Sequence, residues 1–235
     1  MRIFTGLNEA YNEIKRDLVE MGTIVHPESY QDKIVKDDPA FETKELQGYC
    51  YSITNLTELQ KDFKDLKGDL GYLQKEYLDR VNPSYLNPGN SWETRKEVWE
   101  PFLHGGKFAY SYNERIRTQL PIILEQLKDN PNTRQAVITI YDHHQDIGHL
   151  GGKARIPCSM YYQILLRKRR DNLEVDILYT MRSCDLFTHF IYDVALTVEL
   201  QHFIAGSLGL NPGHFTHFIG SLHAYKIDYS RKEVF

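Results

Sequence analysis

The chain has 235 residues, 41% of them hydrophobic and 26% charged, which suits one domain with a core large enough to need no covalent staple. Its 28 Lys+Arg against 32 Asp+Glu give a net charge of -4, the wrong balance for a coat on a nucleic-acid polymer or an anionic membrane. Three widely spaced cysteines, Cys50, Cys158 and Cys184, exclude a disulfide scaffold and any Cys-x-x-Cys zinc or redox motif, and point to a reducing compartment such as the cytoplasm.

In chain order, the charged start after Met1–Phe4 has no apolar core of a secretory signal, and no apolar run is long enough to span a membrane. Leu7, Tyr11, Ile14, Leu18 and Met21 recur at three- and four-residue steps, which predicts an amphipathic helix over 8–21. Alternation around Leu46, Tyr49, Tyr51 and Ile53 predicts a strand over 43–54. Residues 56–79 read as helix interrupted at Gly68 and Gly71, and 80–94 as a loop punctuated by Asn82-Pro83, Asn87-Pro88-Gly89 and Ser91. A helix is predicted from Arg115 to Lys128, stopped at Asn130-Pro131, then a β-branched strand from Gln135 to Tyr141. Gly148 to Gly152 reads as a flexible turn. Met160–Arg167 and Leu173–Met181 form a hairpin across a charged turn. The stretch from Tyr192 to Leu208 is the most apolar helix, and Phe215–Ile219 is a short strand before Gly220-Ser221. The whole predicts one α+β domain over residues 1–235, a largely antiparallel or mixed sheet packed with helices.

Taken singly, the candidate chemical residues are ambiguous. Cys158 follows Arg155-Ile156-Pro157, where Pro157 marks a sheet edge or irregularity and Arg155 would favour a thiolate. A buried structural thiol fits the same residues. Cys184 reads as a packing residue and Cys50 as the core of an aromatic strand. Asp142-His143-His144 and His149 are rich in imidazole, but adjacent side chains on a strand point apart and no partner stands at ligand spacing, so no metal is expected. Glu76 reads as a solvated charge, Arg134 as a loop cation and Asp193 as an N-cap. His223 and Tyr225, at i and i+2 on an extended segment, face the same way and can reach one ligand or be plain surface.

Their order carries more. Ile156-Pro157-Cys158, Met181-Arg182-Ser183-Cys184-Asp185, Asp193 and Gly220-Ser221-Leu222-His223-Ala224-Tyr225, preceded by Asn130-Pro131-Asn132-Thr133-Arg134, resemble the thymidylate synthase superfamily over residues 112–225. Over 1–80 the likeness is looser and rests on Asp32-Lys33 and Tyr72-Leu73-Gln74-Lys75-Glu76. The resemblance implies a thymidylate synthase-like fold in a sheet-to-sheet homodimer. It implies Cys158 as nucleophile, Glu76 as organiser of water and protons, and Asp193 as reader of the base. Arg182, Ser183, Lys33 and an Arg134 lent by the neighbouring subunit would hold a nucleotide phosphate, and His223 and Tyr225 the sugar. Asp185 would contact folate, with Tyr112 lining the pocket. The implied co-substrate is 5,10-methylenetetrahydrofolate, with no metal.

Several positions depart from the methyl-transferring members of that family. Those usually carry Asn where this chain has Asp193. Uracil presents N3–H and O4, which an amide matches; cytosine presents N3 and N4–H₂, and a carboxylate accepts from N4–H₂ and supports a protonated N3. In a dry site such pairing can discriminate by about 10⁴–10⁵-fold. Met181 and Gly220-Ser221 stand where the methyl-transferring enzymes usually have Gln and Gly-Asp, and only ten residues follow Tyr225, too few for the tail that closes their folate site. Water reaching the one-carbon unit would give a hydroxymethyl product. These departures look like deoxycytidylate hydroxymethylase, converting dCMP, or CMP, to its 5-hydroxymethyl derivative. Gln135 stands where a second loop arginine is usual, which leaves room for a ribonucleotide. The alternatives are a short thymidylate synthase methylating dUMP and, from another class, a catalytically silent nucleotide- or RNA-binding relative. A cytoplasmic location, in the host if the gene is a phage's, goes with any of these.

Overall fold

Four strands of eleven or more residues and one helix of nineteen set the layout in the computed structural model, which describes residues 1–30, 33–150 and 154–231. The strands are β1 (Arg2–Phe4), β2 (Thr23–Val25), β3 (Ser29–Tyr30), β4 (Lys33–Ile34), β5 (Thr43–Ile53), β6 (Val137–Thr139), β7 (Ser159–Arg169), β8 (Asn172–Asp185) and β9 (Asn211–Tyr225). The helices are α1 (Leu7–Met21), α2 (Leu59–Asp65), α3 (Leu70–Val81), α4 (Lys96–Trp99), α5 (Tyr112–Ile116), α6 (Leu120–Asp129), α7 (His143–Asp146), α8 (Phe190–Leu208) and α9 (Lys226–Arg231). The main sheet runs β1-β5-β9-β8-β7-β6, with β2 also on β5, while β3 and β4 form a separate hairpin.

The sheet is mixed. β7 and β8 form the expected antiparallel hairpin, but β8 and β9 are parallel because α8 crosses over between them, and β1 joins β5 in parallel. The α8 sequence is strongly apolar and has no sustained polar face, so most of the helix must be buried. It packs against β8 and β9 with Val194, Ala195, Val198 and Ile204 fully buried. Its one interior amide, Gln201, donates to the carbonyls of Val175 at 2.7 Å and His214 at 3.3 Å, tying the helix to both strands. Gly209 ends α8 at φ +67°, and Leu210 N–H closes the cap on the Ala205 carbonyl at 2.9 Å.

Three expectations change. The helix over 115–128 is two helices, α5 and α6, because Pro121 cannot donate into a continuing turn and restarts the helix near its N-terminus. The strand over 135–141 shortens to β6. The strand at 215–219 is the middle of a fifteen-residue β9, for Gly220 is a close approach and not a break: a Cβ there would stand 2.9 Å from the Arg182 carbonyl oxygen. Cys50 is not core either. It pairs with Phe218 on the outer face of the sheet, where Phe218 is 43% exposed.

Gly209→Ala should lower stability by about 1 kcal/mol, since an L side chain resists the left-handed conformation. Chemical denaturation measures this; an unchanged midpoint would contradict the cap.

Candidate active site

Strand directions alone gather the site. β7 begins where β8 ends, and β8 and β9 end side by side, with Ser183 opposite Ser221 and Asp185 opposite His223. The residue before β7 is Cys158, and α8 starts just beyond β8, so Asp193 arrives at the same sheet end. A cavity of about 580 Å³ opens there. Cys158, Arg182, Ser183, Asp185 and Asp193 line it from the strand ends and α8. His223 and Tyr225 line it from β9, Glu76 from α3 and Tyr112 from α5.

Cys158 is half-buried beside an irregularity in the β7–β8 register. Arg182 N–H donates to the Cys158 carbonyl at 2.8 Å, which fixes the two residues together. The Arg182 guanidinium donates to the carbonyls of Pro157 at 2.9 Å and Ile156 at 3.1 Å and lies 3.8 Å from Cys158 Sγ. The cation at the sulfur is therefore Arg182 and not the expected Arg155. Arg155 is held in an aromatic cage, 4.8 Å from the Trp99 ring, 4.9 Å from Phe102 and 5.3 Å from Tyr110.

Asp193 is no N-cap. His189 holds that position, and Asp193 lies a turn inside α8 with its carboxyl in the cavity wall. Desolvation pushes the Asp193 pKa up to about 7; Arg80 and the bond from Cys184 pull the other way. Cys184 is more than packing, since its thiol donates to Asp193 Oδ2 at 3.7 Å. Burial first, then the Asp193 charge, raises the Cys184 pKa well above the usual thiol value, so it stays protonated. Two cysteines in one cavity thus have opposite surroundings.

Glu76 is not a solvated surface charge. Its Oε1 accepts from Arg80 Nε at 2.9 Å and its Oε2 from Ser91 Oγ at 2.6 Å. The Arg80 guanidinium stacks 3.8 Å from the Tyr112 ring centre, and the Tyr112 hydroxyl meets Ser159 Oγ at 2.8 Å. Asp185 is buried and accepts from the N–H groups of Phe187 at 3.0 Å and Thr188 at 3.2 Å on one oxygen, shaping the turn into α8. Burial lowers the His189 pKa to about 4, with Asp185 opposing, so this imidazole is neutral. His223 and Tyr225 do face one way, their rings 5.1 Å apart, and Tyr225 packs edge-on against Tyr30 and Phe41.

Arg134 is exposed on the loop before β6 and does not line this cavity. The Lys33 side chain lies outside the described residues. Sequence reasoning missed Arg80 and Arg95, which also line the cavity; Arg95 stands 4.4 Å from the Tyr192 ring and 5.0 Å from Tyr72. The i, i+4 spacing from Glu76 was the available signal for Arg80. Asp142 caps α7 through His144 N–H and pairs with Arg115 at 3.0 Å. No cluster of three His, Cys, Asp or Glu suited to a metal occurs among the described residues, and no described helix is long and apolar enough to cross a membrane.

A family model described as thymidylate synthase matches residues 40–233. The thymidylate synthase of Buchnera aphidicola (subsp. Baizongia pistaciae) is 28% identical over 173 residues, 72% of this chain and 60% of that protein. The thymidylate synthase of Mycoplasma genitalium is 24% identical over 191 residues, 81% of this chain and 51% of that protein. The chain thus spans between half and two thirds of the length of these curated relatives. Among solved structures, thermostable thymidylate synthase A from Bacillus subtilis shares the fold, with a TM-score of 0.74 at 18% identity over 98% of this chain and 84% of that one.

The raised Asp193 pKa makes a sign-definite prediction. The unfolded chain holds this proton less tightly, so the contribution is full below about pH 4 and is lost as pH rises to about 7. Asp193→Asn should flatten that decline, by on the order of 2 kcal/mol after solvent screening. Denaturation from pH 4 to 8 measures it, and parallel curves for the two proteins would refute it.

Proposed function

This chain belongs to the thymidylate synthase family, and from that premise we propose that it is a (deoxy)cytidylate 5-hydroxymethyltransferase using 5,10-methylenetetrahydrofolate. The observation that carries the reading is the Asp193 carboxyl, set in the same cavity as the Cys158 nucleophile and balanced between its two protonation states near neutrality.

Cys158, reacting as the thiolate with Arg182 beside its sulfur, bonds to C6 of the pyrimidine and makes C5 nucleophilic. Asp193 accepts from the cytosine N4–H₂ and can share a proton with N3. His223 and Tyr225 orient the sugar. Ser183 and the uncommitted Nη1 of Arg182 meet the phosphate, where guanidinium geometry suits its oxygens. Arg134 is exposed and does not line its own cavity, and in this reading it serves the phosphate site of a second subunit. An outward row across the sheet, Tyr161, Thr180, Phe218 and Cys50, offers the face for sheet-to-sheet pairing. Lys33 joins the phosphate site in this reading.

The folate supplies a one-carbon unit at the oxidation level of formaldehyde. The residues present fit such a ligand. Trp92, Trp99 and Tyr192 offer flat faces in the cavity wall. Asp185 has one oxygen beyond the one that takes the turn amides, and Tyr112 lines the same cavity. Glu76 receives the proton of the water that adds to the one-carbon unit.

The second reading is methylation of dUMP, favoured by the name that the curated relatives carry. Both readings share Cys158 and its bond to C6. They part at Asp193 and at the fate of the one-carbon unit.

Asp193→Asn should move the ratio of kcat/KM for cytidylate over uridylate towards uridylate by at least about 100-fold. Competition kinetics with dCMP and dUMP measure the ratio. An unchanged ratio would remove the reason for reading this as a cytosine enzyme.

A further inference from the structure

The most deeply placed charge in the cavity wall is Arg80, only 6% exposed and assigned no role so far. We propose that Arg80 is a positioning residue that locks Glu76 as the acceptor for the water that completes the hydroxymethyl group. The proposal rests on the hydroxymethyl reading above.

The geometry is a rigid bridge from the nucleophile to the carboxylate. Ser159, next to Cys158, meets the Tyr112 hydroxyl at 2.8 Å; the Tyr112 ring carries the Arg80 guanidinium at 3.8 Å; Arg80 Nε donates to Glu76 Oε1 at 2.9 Å. From the other side, Ser91 Oγ donates to Glu76 Oε2 at 2.6 Å. Ser91 is itself placed by Asp79, whose Oδ2 accepts the N–H groups of Ser91 at 2.8 Å and Asn90 at 2.7 Å. Each Glu76 oxygen thus already takes a donor, and what remains free on the carboxylate is lone pairs. A group so held orients a water by accepting from it. It cannot rotate to serve as an acid without breaking an ion pair in a buried place.

The charges support this. Burial opposes the Arg80 charge most, but Glu76 together with Tyr162, Tyr112 and Tyr179 outweighs burial, so Arg80 stays cationic. Glu76 and Asp193 are two carboxyl groups in one cavity, and Arg80 acts on both, so each can keep its own task.

In the step concerned, water oxygen bonds to the exocyclic methylene carbon while the methylene π pair moves into the ring. The water proton passes to Glu76. The pair then returns to re-form C5=C6 as the C6–S bond breaks, leaving Cys158 as thiolate, and the Glu76 proton is released to solvent. Nothing is oxidised or reduced.

The test separates formation of the covalent adduct from its hydration. The full chain, in excess over [5-³H]cytidylate and with methylenetetrahydrofolate present, is followed through a single turnover, and folate-dependent tritium release is compared with hydroxymethyl product. For the wild type the two should be equal. Arg80→Met should cut product by about 100-fold or more while tritium release stays within about 10-fold, and Arg80→Lys should recover at least about a tenth of the product. Should Arg80→Met not fold, Ser91→Ala, which frees the other oxygen, should lower the product-to-tritium ratio by about 10-fold. Product and tritium falling together, or neither falling, would overturn the role given to Arg80. A wild type that releases tritium but makes no hydroxymethyl product would instead defeat the hydroxymethyl reading, and the role of Arg80 would go with it.

Discussion

Helix α8 has no polar face, and that constraint organises the rest of the molecule. A helix this apolar must be covered over most of its surface, so it lies between the sheet and α1, α2, α3 and α6, with His202, Gly206 and Ser207 left exposed, and returns the chain parallel to β8. Parallel strands end together. Because β7 runs against β8, its first residue also lies at that end. Cys158, Arg182 to Asp185, Asp193, His223 and Tyr225 therefore converge at one end of the sheet. Gln201 makes the arrangement stiff, since a buried amide nitrogen donating to carbonyls of two different strands fixes the helix against both.

Within the cavity, differences of surroundings divide similar groups between tasks. Cys158 is half-buried near a guanidinium, whereas Cys184 is sealed against a carboxyl that keeps its proton in place. Asp193 is desolvated and has one weak sulfur donor, so its carboxyl hovers near neutrality; Glu76 has an ion pair and a hydroxyl. The same contrast holds for the guanidiniums. Arg80 is spent on Glu76, Arg182 on the carbonyls around Cys158, and Arg155 on aromatic faces. None of this follows from residue type; it follows from what each element packs against.

Much of the layout was legible in the sequence because it rests on local periodicity. The α1 pattern, the β7–β8 hairpin and the apolar α8 are each visible in a window of a dozen residues. The failures have a common cause, a partner distant in sequence. Gly220 reads as a strand end until Arg182 is seen beside it. Glu76 reads as surface until the Ser91 loop folds back over it, and Asp193 as a cap until Cys184 and Arg80 enclose it. Arg155 is nearest to Cys158 in sequence, yet the β7–β8 pairing brings Arg182 to the sulfur. The order of motifs grouped the site residues because that order reports the topology, which no single residue does.

In the proposed reaction, a carboxyl at position 193 and a water-directing Glu76 make cytidylate the substrate and hydroxymethyl the product. The most direct measurement is mass spectrometry of the products from dCMP, CMP and dUMP, each incubated with methylenetetrahydrofolate, alongside the absorbance of dihydrofolate. The account predicts a 5-hydroxymethyl cytidylate formed without dihydrofolate. Methylated uridylate with one dihydrofolate per turnover would contradict it.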